Sequence, residues 1–305
     1  MRMGQTAPLS ESSRQRETAV MWKKQSRMRQ FFLHFCSNRI GMTGLICILF
    51  LIAIALFAPL ISKYPEGYGD TTHMLQPPNS EYWFGTDSIG LSIFDQVVWG
   101  TRVSLYVGSV ATAIAVMIGV PIGLLSGYYG GRVSTFGMGL ADIFLTLPIL
   151  PLMIIMAAVL GNSLGNVGLI IGLFSWPSIA RVTRAETLAL KENQYIEAAR
   201  AVGTKEYKII FRHILMNAIP PILVNMTMIL GDAVISEAGL SFLGLGDPSS
   251  WSWGTILQNA HATGVIINAW WHSLFPSIGI IILVLSFNFL GIGLNETLHP
   301  KLRKL

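Results

Sequence analysis

Three carboxylates stand inside long apolar stretches of this chain: Asp142, Asp232 and Glu237. An ionised group at the centre of a membrane helix costs about 3 kcal/mol on insertion scales, so each should face protein or water rather than lipid. Asn225, Asp232 and Ser236 follow at intervals of seven and four residues, which places them on one stripe of a helix. Such a stripe suits a polar lining to a translocation path. It suits hydrogen bonding between helices equally well. Asp142 and Glu237 could join that lining, or lie near span ends and pair with local backbone or basic groups.

Enzyme chemistry finds little to work with. No glycine is followed directly by lysine, so the chain lacks the Gly-x4-Gly-Lys-Ser/Thr loop that cradles nucleotide phosphates. The six histidines, His34, His73, His213, His261, His272 and His299, are scattered, and none opens a His-Glu-x-x-His metal motif. Gly239-Leu240-Ser241 has the form of a Gly-x-Ser nucleophile, with His261 as a conceivable base. His261 falls in a loop, however, and no second histidine-bearing span follows. Ser241 is better read as satisfying a helix carbonyl or capping a helix end.

These residues sit in a chain built for hydrocarbon. Apolar residues fill 52% of 305 positions and charged residues 12%, against about 25% charged in an average soluble domain. Six windows are nearly bare of charge: roughly 40–61, 103–126, 137–160, 166–182, 218–244 and 273–294. Each reaches or approaches the ~20 helical residues that cross a bilayer core, the fourth being the shortest. The pattern predicts an all-α integral membrane protein with six transmembrane helices. The first run reads as a retained signal anchor rather than a cleaved signal peptide.

Of 21 Lys and Arg residues, 19 fall within 1–39, 127–136, 181–217 and 295–305. The alternate loops hold Lys63 and Arg102, with Glu66, Asp70, Glu81, Asp87, Asp95 and Asp247. The positive-inside rule then puts both termini and the 181–217 loop in the cytoplasm. The net charge of +5 is therefore a topology signal. It is not a nucleic-acid footprint, since no basic stripe interleaves with exposed aromatics. Cys36 and Cys47 lie beside and inside the first span and imply packing, not a disulfide framework.

Gly119, Gly123 and Gly127 recur every fourth residue, lining one helix face where a neighbour can approach closely. Pro121 should bend that helix, and Pro148 and Pro151 the next span. The segments 62–100 and 246–272 carry Trp99, Trp251, Trp253, Trp270 and Trp271, expected to anchor at the lipid headgroups or to face a partner. Residues 1–30 read as a disordered or interfacial basic tail with some attraction to anionic lipid.

The most patterned polar stretch is 181–217, with seven Lys or Arg. Tyr195, Ala198, Ala199 and Val202 keep a helical spacing that ends at Gly203, a natural left-handed residue after a helix. Thr204 should cap a second short helix opening with Lys205-Glu206, with Tyr207, Ile210, Phe211 and Ile214 on one face. Two small helices bent at a glycine make a slim knob for a cleft in another protein, and Glu197 and Arg200 can fix its orientation.

Here the chain resembles the permease subunits of binding-protein-dependent ABC transporters, through Glu197-Ala198-Ala199-x3-Gly203 and the following Phe211-Arg212-His213-Ile214-Leu215. Phe84-Gly85-Thr86-Asp87-x2-Gly90, Arg102-Val103-Ser104-Leu105 and the run Glu237 to Gly246 are similar to the same peptide and nickel importer group. A basic tail after Leu298-His299-Pro300 completes the likeness, which spans about residues 30–303 and best suits the C-type subunit of a pair. Met216 replaces a usual proline, which frees a backbone N–H and should soften the bend into the fifth span. Leu91-Ser92 and Asn295 also depart from the pattern, in the outer segment and the tail.

The resemblance implies a type I ABC importer permease fold in a prokaryotic inner membrane. Its parts would be a basic tail (1–39), a first helix with its outer segment (40–100), a core (101–294) holding the 181–217 loop, and a tail (295–305). Glu197, Ala198, Ala199, Arg200 and Gly203 would seat a coupling helix in a separate ATPase. Partners would be a second homologous permease, two ATP-binding subunits and an extracytoplasmic solute-binding protein. ATP and Mg would stay with the ATP-binding subunits, and this chain would bind no cofactor. Di- or oligopeptides are the expected solutes, with nickel, glutathione or oligosaccharides as alternatives. An ion-coupled secondary transporter is the rival class, but it predicts a second patterned repeat that the sequence lacks.

Overall fold

A computed structural model describes residues 33–67, 69–265 and 268–298, so expectations for the N-terminal tail up to residue 32 and for 299–305 lie outside it. The main elements are α1 (Arg39–Ile61), α2 (Ile93–Tyr129), α3 (Gly131–Thr146), α4 (Ile149–Leu160) and α5 (Leu164–Lys191). They continue with α6 (Gln194–Ala201), α7 (Glu206–Phe242), α8 (Trp253–Ala262) and α9 (Trp270–Leu298). Among the described residues there is no sheet, only an isolated bridge between Thr86 and Ser92.

Four helices, α1, α2, α7 and α9, are long and apolar enough to cross a membrane, and α3 with α4 would make a fifth span. The 28-residue α5 has the length, but its polar residues keep it below the same apolarity. The third window does more than kink: α3 and α4 meet at 90° across Leu147-Pro148. Pro148 pushes the residue before it out of the helical region, and Leu147 accordingly has ψ 147°. Pro151 falls in the first turn of α4, where its missing N–H costs nothing. Pro121, by contrast, is carried inside α2 without a break over 37 residues.

What holds the bundle is close backbone approach. A Cβ on Gly119 would lie 2.6 Å from the Trp176 carbonyl oxygen, one on Gly123 2.5 Å from that of Ala180, and one on Gly127 2.6 Å from Thr187 Cβ. The glycine face of α2 therefore meets α5. From the other side, Gly172 of α5 sits against the Ala111 carbonyl, where a Cβ would be 2.7 Å away. The pair α1 and α9 repeats the device with Gly41 and Gly44 facing Gly293 and Leu290. Away from α9, α1 exposes Leu49, Phe50, Leu56, Phe57 and Leu60, a surface suited to lipid.

At the end of the bundle away from α6, α8 plugs the space between α2, α7 and α9. Trp253 is buried there and donates its indole N–H to the Val97 carbonyl at 3.0 Å. Trp271 is also buried, donating to the Thr86 carbonyl at 3.1 Å. These two tryptophans belong to the protein core and not to a headgroup belt: Trp253 lies against Gly100 of α2 and Gly279 of α9, and Trp271 against Gly85 of the 62–92 segment. Trp251 is half-buried and reaches the Pro65 carbonyl at 2.8 Å, while Trp270 remains exposed.

The Phe84-Gly85-Thr86-Asp87 motif fastens the 62–92 segment to this end. Buried Asp87 accepts from the backbone N–H of Ile89 and Leu91 and from the Gln96 amide at 2.7 Å. Gly85 has φ 77°, and a Cβ there would strike the Trp271 ring. Nearby, Asp70 accepts from Thr72 and His73, which holds its carboxyl down at about 2.

Gly123→Val should drive a branched side chain into α5 and cost about 1–3 kcal/mol through overpacking. A lower thermal midpoint of the detergent-solubilised protein checks this. Gly139→Ala, where a Cβ meets open space, should leave the midpoint unchanged or slightly raised.

Candidate functional site

The handle begins where α5 ends. Asn193 starts α6, and Ile196 is the one side chain of that helix buried in the protein. Its neighbours Tyr195, Glu197, Ala198 and Arg200 are exposed, and Ala199 is half-buried. The helix closes with Gly203 at φ 76°, whose N–H bonds the Arg200 carbonyl while the Thr204 N–H reaches back to Ala199 at 3.0 Å. That paired closure satisfies the orphan carbonyls and needs a left-handed residue at Gly203. Val202, just before it, is 82% exposed.

Beyond the glycine the structure departs from expectation. Lys205, not Thr204, precedes the next helix, and no side chain caps it. There is no second short helix: Glu206 opens α7, which runs unbroken into the membrane span. Likewise the first part of the 181–217 loop is the polar end of α5, which extends to Lys191. A π-helical turn over Ile209–Ile214 winds more residues into each turn. The buried set is consequently Ile209, Ile210 and Ile214, while Tyr207 and Phe211 point outward. Met216, in place of proline, lies within this continuous helix.

Tyr128, unmarked in the sequence reading, closes the base of the handle. It is buried at the end of α2, and its hydroxyl donates to Glu206. The Arg200 guanidinium carbon and the Lys191 ammonium lie 5.4 and 5.5 Å from its ring centroid. Leu124, Ile196, Ile209, Ile210 and Ile214 pack around it. The available signal was position: Tyr128 directly follows Gly127, the last glycine of the α2 face.

The membrane-embedded polar residues divide into two groups. Asn225, Asp232 and Ser236 share the open face of α7, with Asp232 exposed and the other two half-buried. Asn225 meets Ser178 of α5 at 3.4 Å, and the Ser236 hydroxyl donates to the Asp232 carbonyl at 2.8 Å. Asp142 of α3 pairs with Arg181 of α5 at 2.6 Å, both half-exposed. An exposed ion pair at membrane depth needs water or protein beside it.

Glu237 stands apart. It is 1% exposed, turned into the core, and accepts from Ser241 at 2.7 Å and Ser104 of α2 at 3.5 Å. It ties α7 to α2 and does not line an open face. The Ser241 hydroxyl is thereby committed to a carboxylate, neither a helix carbonyl nor a base. His261 lies in the last turn of α8 and not in a loop; it is exposed, with its ring tilted 41° to that of Phe242.

The chain belongs to the family of binding-protein-dependent transport system inner membrane components, whose model matches residues 119–304. A second model, the N-terminal transmembrane domain of oligopeptide transport permease C, matches residues 26–78. Among curated relatives, the glutathione transport system permease protein GsiD of Pectobacterium atrosepticum is 39% identical over 90% of this chain and 91% of its own length. The dipeptide transport system permease protein DppC of Alkalihalophilus pseudofirmus is 38% identical over 91% of each. The oligopeptide transport system permease protein OppC of Bacillus subtilis is 36% identical over 92% of each. The chain is thus an all-α membrane permease, a transport component and not an enzyme.

In a background with Cys36 and Cys47 replaced by serine, Asp232→Cys and Asn225→Cys should react with a water-soluble thiol reagent. Glu237→Cys should be at least tenfold slower, since burial withholds the thiolate. Equal rates at all three positions would contradict the division into open face and core.

Proposed function

We propose that this chain is one permease subunit of an ATP-driven importer. It pairs with a second, homologous permease as a heterodimer, served by two ATP-binding subunits and an extracytoplasmic solute-binding protein. ATP and Mg2+ are held by the ATP-binding subunits. The α6 end lies in the cytoplasm with both termini, as the clustering of basic residues there supports.

The observation that carries this reading is the handle. Tyr195, Val202, Tyr207 and Phe211 each stand exposed on the handle, as do Glu197 and Arg200. Large apolar side chains gathered in the open on one short segment, with charges among them, suit a protein contact. Glu197, Ala198, Ala199, Arg200 and Gly203 seat it in an ATP-binding subunit, and closure of two such subunits drives the permease pair between inward- and outward-facing states. The open face with Asn225, Asp232, Ser236 and Asp142 then forms half of the solute path.

The solute is a di- or oligopeptide, supported by the dipeptide and oligopeptide names of two relatives. Glutathione, itself a modified tripeptide, is the second reading, favoured by the GsiD likeness.

Proline cannot adopt the φ of 76° found at Gly203. Gly203→Pro should therefore leave the protein in the membrane, reduce peptide uptake at least tenfold, and remove solute stimulation of ATP hydrolysis. Wild-type uptake by this variant, or ATP-independent uptake by the purified chain alone, would overturn the reading.

A further inference from the structure

Tyr128 is 4% exposed at the end of α2, yet its side chain answers to three other elements. Its hydroxyl donates to Glu206 of α7, Arg200 of α6 stacks over its ring, and Lys191 of α5 bonds its carbonyl and flanks the same ring. The two halves of the handle, on either side of Gly203, thus bear on a single side chain. The apolar cluster around it could tolerate some sliding. A charge-assisted hydrogen bond and a cation over a ring are directional and could not.

We propose that Tyr128 is a positioning residue that transmits movement of the handle into α2. It holds α6 and the start of α7 in fixed register, so that a push on the handle displaces α2 rather than slipping across its end. This rests on the coupling role proposed above and extends it to the membrane side of the handle. Tyr128 lies behind the docking surface and does not belong to it. Because α2 is locked to α5 through Gly119, Gly123 and Gly127, displacement at Tyr128 reaches both helices.

Tyr128→Phe keeps the ring and removes the hydroxyl. In the complete transporter reconstituted with its binding protein, the variant should co-purify with its partners and keep the wild-type KM for ATP. Solute stimulation of hydrolysis, and uptake per ATP, should fall roughly tenfold, the scale of a typical coupling between sites. Glu206→Gln should fall in the same direction, and Tyr128→Phe with Glu206→Gln should be no worse than Tyr128→Phe alone, because both disrupt one bond.

Additive losses in the double variant would overturn the proposal, as would failure of Tyr128→Phe to assemble, which would make the residue merely structural. Wild-type coupling in Tyr128→Phe while Gly203→Pro abolishes uptake would also overturn it and leave the coupling role intact. Wild-type behaviour of both variants would remove the coupling role itself.

Discussion

Contact at backbone distance between α2 and α5 is the constraint from which the rest follows. In lipid, an apolar side chain gains little by leaving its surroundings, so helices are held by packing and polar contacts. Gly119, Gly123 and Gly127 supply that packing from one side, and Gly172 from the other. At these glycines the two backbones approach with a side chain from one helix at most between them. The seam ends at Tyr128 and Lys191, where the handle is attached. A rigid pair of helices therefore terminates at the handle, the part proposed to meet a partner.

Polar groups within the bundle obey the same economy. Glu237 is kept inside by two serines and ties two helices together. Asp142 is matched by Arg181, and Asn225 by Ser178. Asp232 is exposed like Asp142, but among the described residues it has no ion-pair partner, and lipid could not cover it cheaply. Packing thus separates the buried Glu237, which builds the bundle, from the exposed Asp142 and Asp232, which a solute or a second subunit would meet.

Local signals in the sequence were reliable where the cause is local. The four-residue recurrence of glycine located the seam, because helix geometry alone puts those positions on one face. Gly203 was readable because a left-handed residue after a helix is a property of the backbone. Signals that depend on what lies across the fold were not. Trp253 and Trp271 read as headgroup anchors, since nothing in their sequence neighbours reveals that distant segments bury them. The length of α5 was hidden because its polar end is held as helix by one face alone, Thr183 and Thr187 against the glycines of α2. The π-turn at Ile209–Ile214 shifted the buried face by a residue, which an ideal helical period cannot foresee. Tyr128 was missed because its partners, Lys191, Arg200 and Glu206, lie more than sixty residues away in sequence.

The account stands on the handle being occupied in the working machine. Its most direct test is crosslinking from Val202→Cys in the assembled transporter, with Gly264→Cys at the opposite end of the bundle as the control. The account predicts a covalent adduct between Val202→Cys and an ATP-binding subunit, and none from Gly264→Cys. A Val202→Cys thiol that stays freely reactive toward a water-soluble reagent in the intact complex, with no adduct formed, would contradict it.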